Sequence, residues 1–114
     1  MPYIHVSTTK KITDAEKEKL MEEFGREISI LKGKSEKWLM VNINDDQSMC
    51  FQGDDKTPCA IIEVSVYGSA SADEYEQLTG ALTETVSKTA VIPGDRIYVK
   101  YTETPCWGWN GENF

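Results

Sequence analysis

Basic side chains are scarce in this 114-residue chain, with 12 Lys and Arg against 19 Asp and Glu and a net charge of −7. Binding to nucleic acid and adhesion to an anionic membrane both draw on a basic face, so the balance argues against either partner. Long hydrophobic runs are missing as well. No apolar stretch approaches the roughly 20 residues of a membrane span. The opening Met1-Pro2-Tyr3-Ile4-His5-Val6 has neither the basic nor the apolar region of a secretory leader, so a cytoplasmic location is expected. Cysteine and histidine are few: Cys50, Cys59 and Cys106, with one His, form no zinc set and no Cys-x-x-Cys pair. An odd, widely spaced count speaks against a disulfide scaffold and for reduced thiols with packing roles. No metal or cofactor is expected. At this length one core is feasible and a second is not, which predicts a single domain over residues 1–114.

What the chain does have is a repeat. Tyr3-Ile4-His5-Val6-Ser7 alternates as a strand, and the pattern turns helical after Lys10. Thr13 with Glu16 three places on is a capping box, because the hydroxyl and the carboxylate can each satisfy a free amide of the first turn. Leu20, Met21, Phe24, Ile28 and Leu31 recur at helical spacing, Gly33 supplies a stop, and Trp38–Ile43 reads as a second strand. A shift of 58 residues lays the second half on the first. Ile4 and Val6 fall on Ile62 and Val64, Thr13 and Glu16 on Ser71 and Glu74, Leu20, Phe24 and Ile28 on Leu78, Leu82 and Val86, and Val41 on Val99. The unit is strand-helix-strand, used twice over about residues 2–56 and 59–114, with Ile92-Pro93-Gly94 ending the second helix.

Strand-helix-strand crossovers are right-handed, so each unit pairs its strands in parallel and both helices fall on one face of a four-stranded sheet. The predicted class is α+β, a two-layer sandwich. Alternation turns Ile4, Val6, Leu39, Val41, Ile43, Ile62, Val64, Val66, Ile97 and Val99 towards the helices. The uncovered face would display Tyr3, His5, Trp38, Met40, Ile61, Glu63, Tyr67, Tyr98 and Lys100. A half-apolar face this large on a small domain marks an interface, and a homo-oligomer whose subunits cover one another's sheets is expected.

Four features sit on this duplicated unit: Pro2 after the initiator Met, Gly33-Lys34 before the second strand, Pro58-Cys59-Ala60 opening the third, and Gly108-Trp109-Asn110-Gly111 near the end. Together they resemble the tautomerase superfamily and, within it, the macrophage migration inhibitory factor family, in the manner of its microbial members. The resemblance implies a homotrimer with sites at subunit boundaries and a keto–enol tautomerase acting on phenylpyruvate-like 2-oxo acids without a cofactor. Pro2, freed by removal of Met1, would be the catalytic base. A terminal proline is a rigid secondary amine, and burial beside a cation lowers its proton affinity towards cellular pH. If Met1 persists, the Pro2 nitrogen is an amide without basicity.

The resemblance further implies that Lys34 and the backbone amide of Tyr67 hold the substrate carboxylate, and that Tyr98 comes from the neighbouring subunit. Lys100 stands where well-known members have Asn and would add a second cation. Trp107, Trp109 and Phe114 would line the pocket, with Tyr67 and Trp107, each larger than its family counterpart, narrowing it. Cys59 has Ile62 where one family member completes a Cys-x-x-Cys pair, so thiol–disulfide chemistry is not expected. The alternative function is a cytokine-like binding homotrimer with vestigial tautomerase activity, for which non-classical secretion would be in keeping.

Overall fold

The computed structural model describes residues 1–114. Strand β1 (Pro2–Thr8), helix α1 (Asp14–Glu27) and strand β2 (Met40–Asn44) form the first unit; β3 (Ala60–Tyr67), α2 (Ala72–Ala90) and β4 (Ile97–Thr104) form the second. The sheet order is β2-β1-β3-β4, parallel within each unit and antiparallel where β1 meets β3. Ile4, Val6, Ile62, Val64, Val66 and Ile97 join Leu20, Phe24, Leu78, Leu82 and Val86 in one buried cluster between sheet and helices, with Leu39, Val41, Ile43 and Val99 packed at its margin. Both capping boxes form, Thr13 with Glu16 and Ser71 with Glu74. Glu74 also accepts from Lys32 N at 2.6 Å, tying the second helix to the first unit.

The repeat generates a two-fold relationship that can be traced through side chains. His5 and Glu63, 58 positions apart, face each other across β1 and β3 with Nδ1 3.3 Å from Oε2. Thr85 donates to Glu27 at 2.7 Å, again 58 positions apart. A residue that touches its own repeat counterpart lies on the axis, so the axis passes through the sheet centre and between the helices. The symmetry extends to Ile12 N donating to Asp45 at 2.8 Å and Ala70 N to Glu103 at 3.4 Å, all at the same offset.

Several boundaries differ from the sequence reading. Helix α1 ends at Glu27 and continues as a 3-10 turn, Ile28–Ile30; Gly33, at φ 82°, turns the chain only afterwards. Helix α2 runs to Ala90 and is ended by Val91 at φ 56°, before Pro93 and Gly94 are reached. Val91 is the repeat counterpart of Gly33, so the same backbone turn is built twice, once without a glycine. Trp38 is not in a strand: it closes a 3-10 turn, Glu36–Trp38, and β2 starts two residues later. A short hairpin of β5 (Gly108–Trp109) and β6 (Glu112–Asn113), unmarked by alternation, closes the chain. Of the three free thiols only Cys59 is buried, so the packing role expected for all three holds for that one; Cys50 and Cys106 lie in exposed turn and loop segments.

Arg96 was not singled out by its sequence context and organises the connection between the units. Its guanidinium is buried and donates to the carbonyls of Phe51, Asp54, Thr57 and Pro58 at 3.0–3.1 Å, and it stacks over the Phe51 ring. One fork of donors thus satisfies the carbonyls of a segment that has almost no ladder of its own.

Candidate functional site

Pro2 is the first residue of a central strand, where its missing N–H removes no bond from within the ladder, and it lies buried opposite Val66. The antiparallel pattern runs one step further: Tyr67 N–H donates to the carbonyl of Met1 at 3.0 Å. On the other side of the same residue, the Tyr67 carbonyl accepts from Lys34 Nζ at 2.9 Å. The Gly33 turn makes this reach possible, since it redirects the chain after α1 towards the end of β3. The amino group of Met1 is held below the usual value for a terminal amine, first by burial and then by the Lys34 cation.

Pro2, Lys34 and Tyr67 are therefore brought together, with one qualification. The Tyr67 amide is engaged by Met1 as long as that residue remains, so it is an available donor only in a chain that begins at Pro2.

A cleft of about 920 Å³ opens beside Pro2 over the uncovered sheet face. Tyr3, Met40 and Ser65 form part of its floor, and Trp38, Trp107 and Trp109 part of its walls. The indoles of Trp38 and Trp109 meet edge to face at 5.1 Å, Trp109 stacks on Phe114 at 6.4 Å, and Phe114 tilts on Tyr67 at 5.8 Å. The C-terminal hairpin is held against the sheet by this aromatic line, and by Phe114 N–H donating to Trp107 O at 3.0 Å. Phe114 supports the wall instead of lining it. Of the two residues expected to narrow the pocket, only Trp107 borders the cleft; the Tyr67 ring lies against Phe114.

Tyr98 and Lys100 are placed elsewhere in the same chain. Pro2 is level with Val66 and Glu103 in the sheet register, which puts Tyr98 five residues away along β4, about 16 Å at the rise of a strand. Tyr98 is exposed and packs edge to face on Phe51 at 4.8 Å. Lys100 is exposed opposite Glu63. Neither is level with the Pro2 of the same chain.

Lys37 and Trp38 border the cleft and were missed as site residues: alternation placed Trp38 at the start of a strand, and Lys37, one residue before it, carried no signal of its own. Lys37 Nζ lies 5.3 Å from the centre of the Trp38 ring.

Comparison with known proteins agrees with this geometry. The profile of the family described as macrophage migration inhibitory factor (MIF) matches residues 1–114. A Xenopus laevis macrophage migration inhibitory factor is 27% identical over 108 residues, 93% of each chain. The Rattus norvegicus protein of the same name is 26% identical over 99 residues, 85% of each chain. Among solved structures, Leishmania major MIF2 superposes with a TM-score of 0.93 at 29% identity, covering 100% of this chain and 97% of that one. The Toxoplasma gondii macrophage migration inhibitory factor shares the fold, with a TM-score of 0.90 at 22% identity over 98% of this chain and 99% of that one. A duplicated strand-helix-strand unit with proline at the second position and a lysine beside it, matched from end to end by the family profile, belongs to the macrophage migration inhibitory factor family.

Proposed function

We propose that the chain is a cofactor-independent keto–enol tautomerase of phenylpyruvate-like 2-oxo acids, working as a homotrimer with Pro2 as general base once Met1 is removed. The observation that carries the reading is the junction at the end of β3. The Lys34 ammonium bonds the Tyr67 carbonyl, the Tyr67 amide donates to the Met1 carbonyl, and the Met1 amine, one residue before Pro2, is depressed first by burial and then by Lys34.

In the proposed reaction a substrate carboxylate takes the place of the Met1 carbonyl on the Tyr67 amide and pairs with Lys34. The fixed cation and backbone donor hold the enol in a near-attack pose. The neutral Pro2 nitrogen accepts the proton of the enol hydroxyl and returns it to the adjacent carbon, giving the ketone; the reverse path abstracts the carbon-bound proton. Charge and atoms balance without any other reactant. Tyr98 and Lys100, too far from Pro2 within one subunit, act on a neighbour's site, which supports the trimer reading, as does the exposure of Met40 and Tyr98 on the uncovered face.

The test is ketonisation of enol-phenylpyruvate, followed by ultraviolet absorbance with protein of known intact mass, beside Pro2→Ala. Acceleration by the processed wild type and its loss in Pro2→Ala are expected. Acceleration that survives Pro2→Ala would sink the assignment of the base.

A further inference from the structure

The cleft beside Pro2 holds a cation whose use the reading above does not account for. Lys37 is the one charged side chain on its lining, which contains no Asp or Glu. Its ammonium forms no ion pair with any carboxylate of the chain, in contrast to Lys17, Lys19, Lys56 and Lys88. It lies over the Trp38 indole, which is braced by Trp109. Lys34 is committed to the Tyr67 carbonyl at the other side of Pro2, and Lys100 projects from β4 opposite Glu63. An unpaired ammonium above an indole wall is a ready partner for an anionic group carried on a flat ring, since the ring stacks on the indoles while the charge meets the cation.

Resting on the tautomerase reading, we infer that Lys37 sets substrate preference. The cleft favours aromatic 2-oxo acids that bear a second anionic group on the ring, remote from the reacting carbon. The oxo-acid carboxylate goes to Lys34 and the Tyr67 amide, the ring lies along Trp38 and Trp109, and the ring substituent pairs with Lys37. A single-ring acid without that substituent leaves Lys37 in water.

The inference is tested by kcat/KM of the processed protein on the enols of phenylpyruvate and 4-carboxyphenylpyruvate, for wild type, Lys37→Gln and Lys37→Arg. Lys37→Gln is expected to lower kcat/KM for the 4-carboxy substrate about fivefold, mainly through KM, while phenylpyruvate changes less than about twofold, and Lys37→Arg is expected to keep the preference. Equal loss on both substrates, or no loss on either, overturns it. Calorimetric binding of cinnamate and 4-carboxycinnamate, which cannot ketonise, reads the same preference without turnover. A protein that separates these two acids through Lys37 but accelerates neither enol would sink the tautomerase reading and leave the assignment of Lys37 standing.

Discussion

Lys34 Nζ donates to the Tyr67 carbonyl at 2.9 Å, joining the loop that follows the first helix to the end of the third strand. The bond fixes a cation beside the N-terminus, where burial first and this cation second lower the proton affinity of the Met1 amine. Lys34→Gln should therefore raise the pKa of the Pro2 amine in the processed protein. A higher pKa leaves less neutral base at neutral pH, so the acidic limb of the kcat/KM profile should move to higher pH. The lost carboxylate contact should lower the plateau by about 10- to 100-fold. A profile displaced towards lower pH would contradict the assignment.

Met1 acts at two points, by acylating the Pro2 nitrogen and by placing its carbonyl on the Tyr67 amide at 3.0 Å. Protein that retains Met1, or carries a short extension before Pro2, should be inactive and should also bind cinnamate more weakly than processed protein. Calorimetry on two preparations separated by intact mass checks both statements. Equal affinity would show that the amide is not part of the carboxylate site.

Tyr98 lies about 16 Å along the strand direction from the level of its own Pro2. Subunits carrying Pro2→Ala and subunits carrying Tyr98→Ala should each be poorly active alone. Mixed by denaturation and renaturation, they should recover activity, because about one quarter of the sites in random trimers combine an intact Pro2 with an intact Tyr98 from the neighbour. Absence of recovery in trimers shown to be mixed by mass spectrometry would place the whole site within one subunit.

Arg96 holds the segment 51–58 through four carbonyls, and Asp54 in that segment accepts from Lys56 N at 2.8 Å and Thr57 N at 3.1 Å. Arg96→Met should cost about 3 kcal/mol in urea unfolding at a fixed protein concentration, since it removes the shared donor of four half-buried carbonyls. Hydrogen bonds from Thr57 and Lys56, with a smaller contribution from Arg96, pull the Asp54 carboxyl down to about 2. A depressed carboxylate stabilises the fold above its unfolded pKa of about 4 and loses that contribution as pH falls towards about 2. Asp54→Asn should flatten the stability profile in that window and nowhere else.

Val91, at φ 56°, takes the left-handed turn that its repeat counterpart Gly33 takes at φ 82°. A β-branched residue is strained there, and Val91 is exposed, so little packing is lost on its removal. Val91→Gly should stabilise the protein by about 1 kcal/mol, whereas Gly33→Val should destabilise it by at least as much. Thermal unfolding of the two variants at equal concentration decides the matter.

The fold was legible because the same pattern occurs twice. Two capping boxes, two helical stripes and two pairs of alternating strands agree at one offset, and such agreement leaves few topologies open. Pro2 and Lys34 stand out in the sequence as candidates through family resemblance, while Lys37, one residue before the strand read from Trp38, carries no local signal. The Trp38 side chain, on a 3-10 turn outside the sheet, meets Trp109, a residue 71 positions later. No local periodicity encodes such a contact. Arg96 was equally silent, since a single Arg before a strand reads as a surface residue until the carbonyls it satisfies are in place.

Local propensity and hydrophobic period thus determined by themselves the two strand-helix-strand units, their caps and the face each strand buries, because these depend on residues within a few positions of one another. Tertiary structure alone decided what the sequence spacing cannot express: the Tyr67 amide engaged by Met1, the Lys34 bond across 33 positions, the separation of Tyr98 from its own Pro2, and the unpaired Lys37 above an indole. Each is a meeting of distant segments, set by sheet register and by the docking of the C-terminal hairpin.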